Sequence, residues 1–199
     1  MEENPNALSL CNIALSKLGE SPIPAIDANG SPAARLCYMH YHPARRETLC
    51  AARWSFATRL ALLKSSEETG SENYVSHALR HPLPADCLRV LDVAAPQWTL
   101  QERAVYSSVS PLKIRYIFNC EDVESFDPLF ADALATRLAE KLCIPLTASS
   151  TAREALTQEF HKIILPLASN INAVQSHSND THPLYKLWKD SCCSQEEDE

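Results

Sequence analysis

The residues best suited to chemistry are few, and the first candidates are His40 and His42, which form an H-x-H pair. Two histidines in this pattern can share a metal ion when they lie on a β-strand. On a helix the two side chains would point about 200° apart and could not hold one ion. The residues around the pair have helical spacing, so we expect neither a metal site nor a bound cofactor.

A thiol paired with an imidazole is the second arrangement that would do chemistry, as nucleophile and base. His161 with Cys143 or with Cys120 is the candidate pair, since such partners meet in space rather than in sequence. No pair of carboxylates lies in an apolar setting suited to acid–base work. We therefore predict that the protein is not an enzyme. A cytosolic Cys/His-dependent hydrolase and a small regulatory binding module are the alternatives from other classes.

Motifs that bind phosphate or present a nucleophile are missing from the sequence. The three glycines stand alone at positions 19, 30 and 70, so neither a phosphate-binding loop nor a dinucleotide fingerprint is possible. No G-x-S-x-G elbow occurs. The eight cysteines form no C-x-x-C pair, which favours reduced, buried thiols in a protein made in the cytoplasm.

Four arginines form the one basic cluster, and two aromatic residues lie among them. A nucleic-acid interface needs more positive charge than this, because the net charge is −7 and becomes −2 without the five acidic groups of the last ten residues. Arginine is common at protein interfaces, so we predict a subunit or partner contact. The candidate interface residues are Arg45, Arg46, Arg53 and Arg59, with Trp54 and Phe56 between them.

The elements that must position these residues begin with two N-terminal helices. Asn4 or Asn6 caps the first, and Gly19 stops it. Ser31 caps the second, over residues 31–50, and Pro43 inside the pattern predicts a kink or an interruption. Its residues at steps of three or four are Leu36, Met39 or His40, Pro43, Arg46 or Glu47, and Cys50, and the apolar members of this series are predicted to face inward.

Two more helices are predicted near the C-terminus. Asp127 caps the third, Pro128 suits its first turn, and Pro145 ends it. Thr151 and Glu154 have the spacing of a capping box and open the fourth. The apolar stripe of the fourth helix is predicted to be Leu156, Phe160, Ile163, Ile164 and Leu167, continuing to Ile171 and Val174 past a bend at Pro166.

Between the helix pairs the hydrophobic period is two, which is typical of strands. Residues 87–93 and 112–118 alternate best, and residues 59–63, 98–100 and 104–106 are shorter candidates. Residues 81–86 are rich in turn formers and predict a joint. The pattern indicates one small antiparallel sheet inserted between the helices.

The predicted fold class is therefore α+β, a bundle of about four helices with an inserted antiparallel β-sheet domain. Residues 1–58 and 121–175 form the helical domain, and residues 59–120 form the β-rich insertion. No apolar run approaches the roughly 18–20 residues that cross a bilayer, and the acidic N-terminus does not resemble a signal peptide, so no membrane partner is expected. The candidate core anchors are Trp54, Phe56, Phe130, Leu134 and Phe160.

Residues 176–199 are predicted to form a tail that carries an aromatic segment and an acidic end. An apolar patch on such a tail is a plausible docking peptide, and packing back on its own domain is the alternative. The candidate docking residues are Leu184, Tyr185, Leu187 and Trp188.

Several stretches, in order over about residues 7 to 165, carry a family resemblance. Near the N-terminus they are LCNIALSKLG at 10–19, AARLC at 33–37, Tyr41, Arg45 and RETL at 46–49. The later ones are WSFATR at 54–59, LPADCLRVL at 83–91, RYI at 115–117, FDPLF at 126–130, ALA at 133–135 and LA at 138–139. In this order they resemble the tail tubular protein A family, the head-to-tail adaptors of short-tailed bacteriophages and related prophages.

The resemblance implies a structural virion protein that forms a ring, of twelve subunits in the family, between the portal and the tail nozzle. Its partners would be copies of itself, the portal protein and a nozzle similar to tail tubular protein B. Genomic DNA would pass through the lumen without sequence-specific binding. The location would be the head-tail junction of the virion. A head-completion or tail-stabilising plug that assembles only on the portal is the alternative role.

Overall fold

A computed structural model describes residues 6–65 and 79–175 as an α+β fold, which confirms the predicted fold class. Within those residues, four helical rods surround one core, and two three-stranded antiparallel sheets lie between the second and third rods. The helices are α1 (Ala7–Lys17), α2 (Pro32–Ala51), α3 (Pro128–Thr147), α4 (Ser150–Glu159) and α5 (Leu165–Gln175). The strands are β1 (Thr58–Leu63), β2 (Leu79–Pro82), β3 (Cys87–Val93), β4 (Thr99–Gln101), β5 (Ala104–Ser107) and β6 (Leu112–Phe118).

Helix α1 begins at a reciprocal cap. Asn6 accepts a hydrogen bond from the Ser9 backbone N–H at 2.8 Å, and the Ser9 hydroxyl accepts one from the Asn6 N–H at 2.9 Å. Such a cap satisfies backbone donors that the first turn leaves unpaired. Gly19 follows the helix with a φ of 74°, the left-handed conformation in which glycine costs least.

Helix α2 runs without interruption through Pro43, so the predicted break does not occur. Pro43 lies on the solvent-exposed face. Proline has no N–H to donate to the carbonyl four residues earlier, which here belongs to Met39. Because Met39 is exposed, water can donate a hydrogen bond to that carbonyl instead. The interruption was predicted from the missing N–H and the ring of proline alone. The helix tolerates Pro43 because this residue lies on the exposed face.

The buried face of α2 also differs from the predicted series. Met39 is 62% exposed and Pro43 is exposed as well, so these two apolar members of the series do not face inward. The helix is held instead by small and polar residues, which carry little hydrophobic signal in a sequence. The buried set is Ala34, Cys37, Tyr41, Ala44, Arg45, Thr48 and Leu49.

An aromatic cluster joins the end of α2 to the start of α3. Trp54 is 1% exposed, and its indole N–H donates to the Thr48 carbonyl at 2.8 Å. Its ring meets Phe130 edge-on at 5.0 Å, and Phe126 lies 4.6 Å from Phe130. The half-buried Phe56 contacts both phenylalanines. Edge-on aromatic pairs of this kind add to the stabilisation from apolar burial.

Helix α3 lies at the centre of the helical body and packs against α1, α2 and α4. Asp127 caps it by accepting from the Phe130 N–H at 2.6 Å, as predicted. The helix continues two residues past Pro145 and ends at Thr147, because Ala148 takes the left-handed conformation with a φ of 52°. Its fully buried residues include Phe130 and Leu134, two of the predicted core anchors.

The last rod begins two residues earlier than predicted. Ser149 is the cap of α4 and accepts from the Ala152 N–H at 3.2 Å, so Thr151 lies inside the helix. A π-helical turn over Phe160–Ile164 separates α4 from α5, and the three segments follow one another without a break. The buried residues of this rod are Leu156, Phe160, Ile164 and Ala168.

The strands form two small sheets, where the sequence predicted one. Sheet A has the order β1-β6-β3, and sheet B has the order β2-β5-β4. His81 and Pro82 belong to β2, so the predicted joint at 81–86 begins only after that strand. The sheets share one buried cluster: Leu63, Cys87, Val93, Val105, Leu112, Ile114 and Tyr116.

Arg103 connects the two sheets. It lies with Glu102 in the two-residue turn between β4 and β5, and both have positive φ values, 56° and 48°. This is the pattern of a type I′ hairpin. The Arg103 guanidinium donates to the carbonyls of Pro84, Ala85 and Cys87 at 3.2–3.3 Å, which ties sheet B to the start of β3.

The helical core and the sheets are continuous. The helical cluster includes Ile117 of β6 as a fully buried member, and Leu88 and Leu91 of β3 pack against it. Within the described residues, no helix has the length and apolarity needed to cross a membrane. The predicted tail, residues 176–199, lies outside the described residues, and so do its candidate docking residues Leu184, Tyr185, Leu187 and Trp188.

Candidate interaction surfaces

The four arginines of the predicted interface do not form one surface, because Arg45 is buried. Its side chain is 3% exposed and donates to Glu121 at 2.9 Å and to Asn119 at 3.2 Å. The same hydrogen bond and the positive charge lower the pKa of Glu121. Arg45 therefore fixes the loop after β6 to α2, and the prediction that it offers its charge to a partner is corrected.

Arg46 and Arg53 are exposed, one on α2 and one just after it. Arg46 shares the outer face of α2 with Arg35, Met39 and His42, at helical steps of three and four residues. Tyr38, 58% exposed, lies beside this stripe. We call these residues, Arg35, Tyr38, Met39, His42 and Arg46, the α2 outer face. Tyrosine, methionine and arginine are the residue types enriched at protein interfaces.

Arg59 lies at the junction between the helical body and sheet A. It donates to Asp86 at 2.8 Å, and its guanidinium carbon lies 3.5 Å from the centre of the Phe118 ring. Tyr116 donates to the other oxygen of Asp86 at 3.2 Å. Burial and the neighbouring carboxylate raise the pKa of Tyr116, so the phenol stays protonated. Arg59 therefore has partners within the fold, although half of its side chain faces solvent.

A network of charged residues connects α2 to α3. Glu47 accepts hydrogen bonds from Arg137 at 3.0 Å and from Lys141 at 2.8 Å. Arg137 also pairs with Glu140 and stacks over Phe160. Burial acts against the Glu47 carboxylate, but the two cations outweigh it and lower its pKa below the usual value. A cleft of about 340 Å³ lies beside this network, lined by Arg137, Glu140, Lys141, Ile144 and Arg153.

Among the described residues outside α2, exposed apolar side chains form three groups, and Ile13, Leu79 and Ile144 are exposed singly. Leu60 and Leu62 of β1 are 60% and 64% exposed and lie on the face of sheet A opposite Leu63. In the register of the sheet they oppose Arg115 and Lys113 of β6, so this apolar pair has basic neighbours. The other exposed groups are Trp98 and Leu100 near β4, and Ile163, Leu167 and Ile171 on the last helical rod.

The residues considered for chemistry are not assembled into a site in the part of the chain that the structure describes. His40 and His42 both lie on α2, and the described residues contain no cluster of three potential metal ligands. Cys143 is buried and contacts Thr147 and Ser149, whereas Cys120 contacts Ser125. Among the described hydrogen bonds, none joins His161 to either thiol.

Two further buried groups lie between α1 and α2. A hydrogen bond with Cys37, together with burial, raises the pKa of the Cys11 thiol. Burial raises the pKa of Tyr41 to about 12, although the nearby Arg45 acts in the opposite direction. Both groups are neutral at physiological pH, as a packed interior requires.

The structure also identifies surface residues that the sequence reasoning missed. Met39 was assigned to the buried face and Tyr38 was not considered, because the phase of the α2 stripe was set from Leu36 and Met39. The small residues Ala34 and Ala44 mark the true buried face, and their steps of three and seven from Cys37 are the signal that was available. The exposure of Leu60 and Leu62 has no such signal in the sequence.

Comparison with known proteins adds no assignment: no protein-family model matches the chain, and no curated protein matches it. The functional argument therefore depends on the ordered sequence motifs and on the surfaces described above.

Proposed function

We propose that this chain is a structural virion protein, a head-to-tail adaptor that forms a ring between the portal and the tail nozzle. In this role it is not an enzyme, and DNA passes through the ring without being held by specific contacts. We propose a ring of twelve subunits, because that is the number that the family resemblance implies. The observation that carries the proposal is the ordered set of motifs over about residues 7–165.

The positions of the motifs in the fold support reading them as one set. The WSFATR and FDPLF motifs are about seventy residues apart, yet Trp54 and Phe56 pack directly on Phe130. The LPADCLRVL and RYI motifs lie on the paired strands β3 and β6. Arg59, Asp86 and Tyr116, each from a different motif, form one hydrogen-bonded group. These residues build the junction between the helical body and the sheets.

Ring closure needs two different surfaces on each subunit, because each copy contacts the next in a head-to-tail manner. The α2 outer face, together with Arg53, is the candidate for one subunit or portal contact. The exposed face of sheet A, with Leu60 and Leu62, is a second surface, and it is apolar rather than basic. In this proposal the sheets face the nozzle, and the helical body faces the portal.

Charge reversal tests the α2 outer face. The double variant Arg46→Glu/Arg53→Glu changes two exposed side chains, so the monomer should fold normally but fail to assemble on a portal ring. Arg153→Glu, an exposed reversal on α4, is the matched control and should assemble. Rings that form equally well with the double variant would contradict the assignment. A reversal of Arg45 is not informative, because that residue is buried.

The oligomeric state of the free protein separates the two roles within the virion. A ring formed by the purified chain alone favours an adaptor that assembles independently. A monomer that joins copies of itself only on the portal favours the plug, and the exposed apolar pairs on β1 and α2 would then be contacts made at the portal.

A further inference from the structure

The last helical rod carries an apolar stripe that the described residues leave uncovered. In the π-helical turn, the N–H of Leu165 bonds to the carbonyl of Phe160, five residues earlier. The buried residues on either side of it keep steps of four, from Leu156 to Ala168. Three aliphatic residues remain outside the packed face at the same steps. They are Ile163, Leu167 and Ile171, with exposures of 63%, 47% and 41%.

Three aliphatic side chains in a row are an unusual surface for a helix end. Isolated exposed apolar residues are normal, whereas an aligned group marks an interaction site. The polar residues nearest to the stripe include Lys162, which is exposed and donates to Gln158 at 3.4 Å. The stripe therefore suits an occupant with apolar side chains.

The sequence beyond α5 has this composition. Residues 184–188 read LYKLW, and they are followed by Asp190 and by four acidic groups at residues 196–199. Residues 176–183 between α5 and this segment are polar and contain turn-forming residues. The apolar side chains of 184–188 have no neighbours in sequence with which to form a core.

The length of the connection fits a return along the same helix. From Gln175 to Leu184 is nine residues, which span up to roughly 30 Å when extended. The stripe covers eight residues of helix, roughly 12 Å at the rise per residue of an α-helix, and begins four residues before Gln175. A chain that turns back would bring Leu184 near Ile171 and Trp188 toward Ile163, with Asp190 on the side of Lys162.

We infer that residues 184–188 dock on the Ile163–Leu167–Ile171 stripe of the same chain. The linker of eight residues gives the segment an effective concentration in the millimolar range near the end of α5, where the stripe lies. Two other locations compete for the segment: the Leu60–Leu62 pair on β1 and a second copy of the chain. Quenching of Trp188 fluorescence distinguishes them. The inference does not depend on the proposed function, because it concerns the isolated chain.

The fluorescence of Trp188 can show whether the segment is docked, because a docked tryptophan is less accessible to acrylamide. In a full-length Trp98→Phe background, two tryptophans remain, and Trp54 is only 1% exposed, so acrylamide quenches mainly Trp188. Adding Ile163→Ser and Leu167→Ser removes two aliphatic contacts, each worth about tenfold or more in the docking equilibrium. Quenching should rise severalfold. The matched control, Leu60→Ser/Leu62→Ser on the exposed face of β1, should leave quenching unchanged.

Each other outcome overturns the inference. Equal quenching in the background and both variants would show that Trp188 is already free. A rise in the control alone would place the segment on the sheet. Quenching that decreases with increasing protein concentration in the background chain would show docking between two copies.

Hydrogen exchange gives an independent readout that does not alter the stripe. In full-length Leu187→Ser/Trp188→Ser, backbone amides of residues 163–171 should exchange severalfold faster than in the unchanged chain, because the segment no longer covers them. Amides of α3 should keep their rates. Unchanged exchange over residues 163–171 would also contradict the docking.

Discussion

The helical body and the β-rich insertion of this chain differ in the size of their buried cores. The helical body has one continuous core, in which the two largest fully buried side chains, Trp54 and Phe130, are in contact. The insertion has a smaller cluster of seven buried residues shared between two three-stranded sheets, and a separate buried pair, Ala104 and Tyr106. It also exposes Leu60, Leu62, Trp98 and Leu100. The difference indicates that the helices contribute more buried apolar packing to stability than the sheets do.

The junction between the regions is packed on both sides. Ile117 belongs to the helical core, while Tyr116, the preceding residue of β6, belongs to the core between the sheets. Alternation along one strand therefore couples the regions, because successive side chains point to opposite faces. Arg59 and Asp86 add an ion pair at the same place.

The largest effect should come from Trp54→Ala. The substitution leaves a cavity in the aromatic cluster and removes the bond to the Thr48 carbonyl, so the free energy of unfolding should fall by about 3–5 kcal/mol. Thermal denaturation would then show a midpoint lower by about 10 °C or more. Trp98→Ala is the control for size and type; because Trp98 is 45% exposed, its midpoint should stay close to the unchanged protein. Similar losses for both variants would contradict the contrast between the regions.

Val105→Ala should have a smaller and more local effect. Val105 is fully buried between the sheets, and loss of two methyl groups there should cost about 2 kcal/mol. Hydrogen exchange should accelerate in β2, β5 and β6 but not in α1 or α3, if the insertion opens separately from the helices. Uniform acceleration across the chain would show that the two regions unfold as one unit. Leu62→Ala, on the exposed face, is the matched control.

The charged network between α2 and α3 should make stability depend on pH through Glu47. Its pKa is lowered in the folded protein from an ordinary value of 4.5, so its stabilising contribution is present above that pH. The contribution is lost as the pH falls through the lowered pKa. The side chain is 44% exposed, which limits the effect to about 1 kcal/mol or less.

Glu47→Gln is the variant that isolates this contribution. At neutral pH it should be slightly less stable than the unchanged protein, and the difference should shrink between about pH 5 and pH 3 in urea denaturation. Glu154→Gln, on the exposed surface of α4, is the matched control for loss of one carboxylate and should be about as stable as the unchanged protein at neutral pH. A constant difference across this pH range would show that the Glu47 carboxylate contributes nothing through its charge.

The smallest effect on stability should come from Arg46→Glu/Arg53→Glu. Both side chains are exposed, so the free energy of unfolding should change by about 0.5 kcal/mol or less. Chemical denaturation of the monomer measures this directly. A large loss would mean that these arginines support the fold and that the proposed assembly test is confounded.

Helix caps and the fold class could be predicted from the sequence, because they depend on residues close together in the chain. Ser31 and Asp127 were identified as caps from side-chain type and position, and Asn6 was one of two candidates; each of the three accepts the expected backbone bond. The α+β class followed from the change of hydrophobic period. The end of α3 was misplaced by two residues, because Pro145 lies on an exposed face where a lost backbone bond is tolerated.

Features that depend on tertiary contacts were not predictable from local patterns. The π-helical turn moved Ile163 and Leu167 out of the predicted stripe and brought Ala168 into it. The burial of Arg45 depends on Glu121 and Asn119, more than seventy residues away. The division of the strands into two sheets depends on which strands pair, and alternation along each strand does not specify that.

The measurement that tests the central claim most directly is native mass spectrometry of the purified chain, alone and mixed with the purified portal ring encoded by the same genome. The account predicts a closed ring, of about 265 kDa for twelve copies of the 22.1 kDa chain, either free or bound to the portal. A chain that remains monomeric and unbound in the presence of the portal, or a genome that encodes no portal, would contradict it.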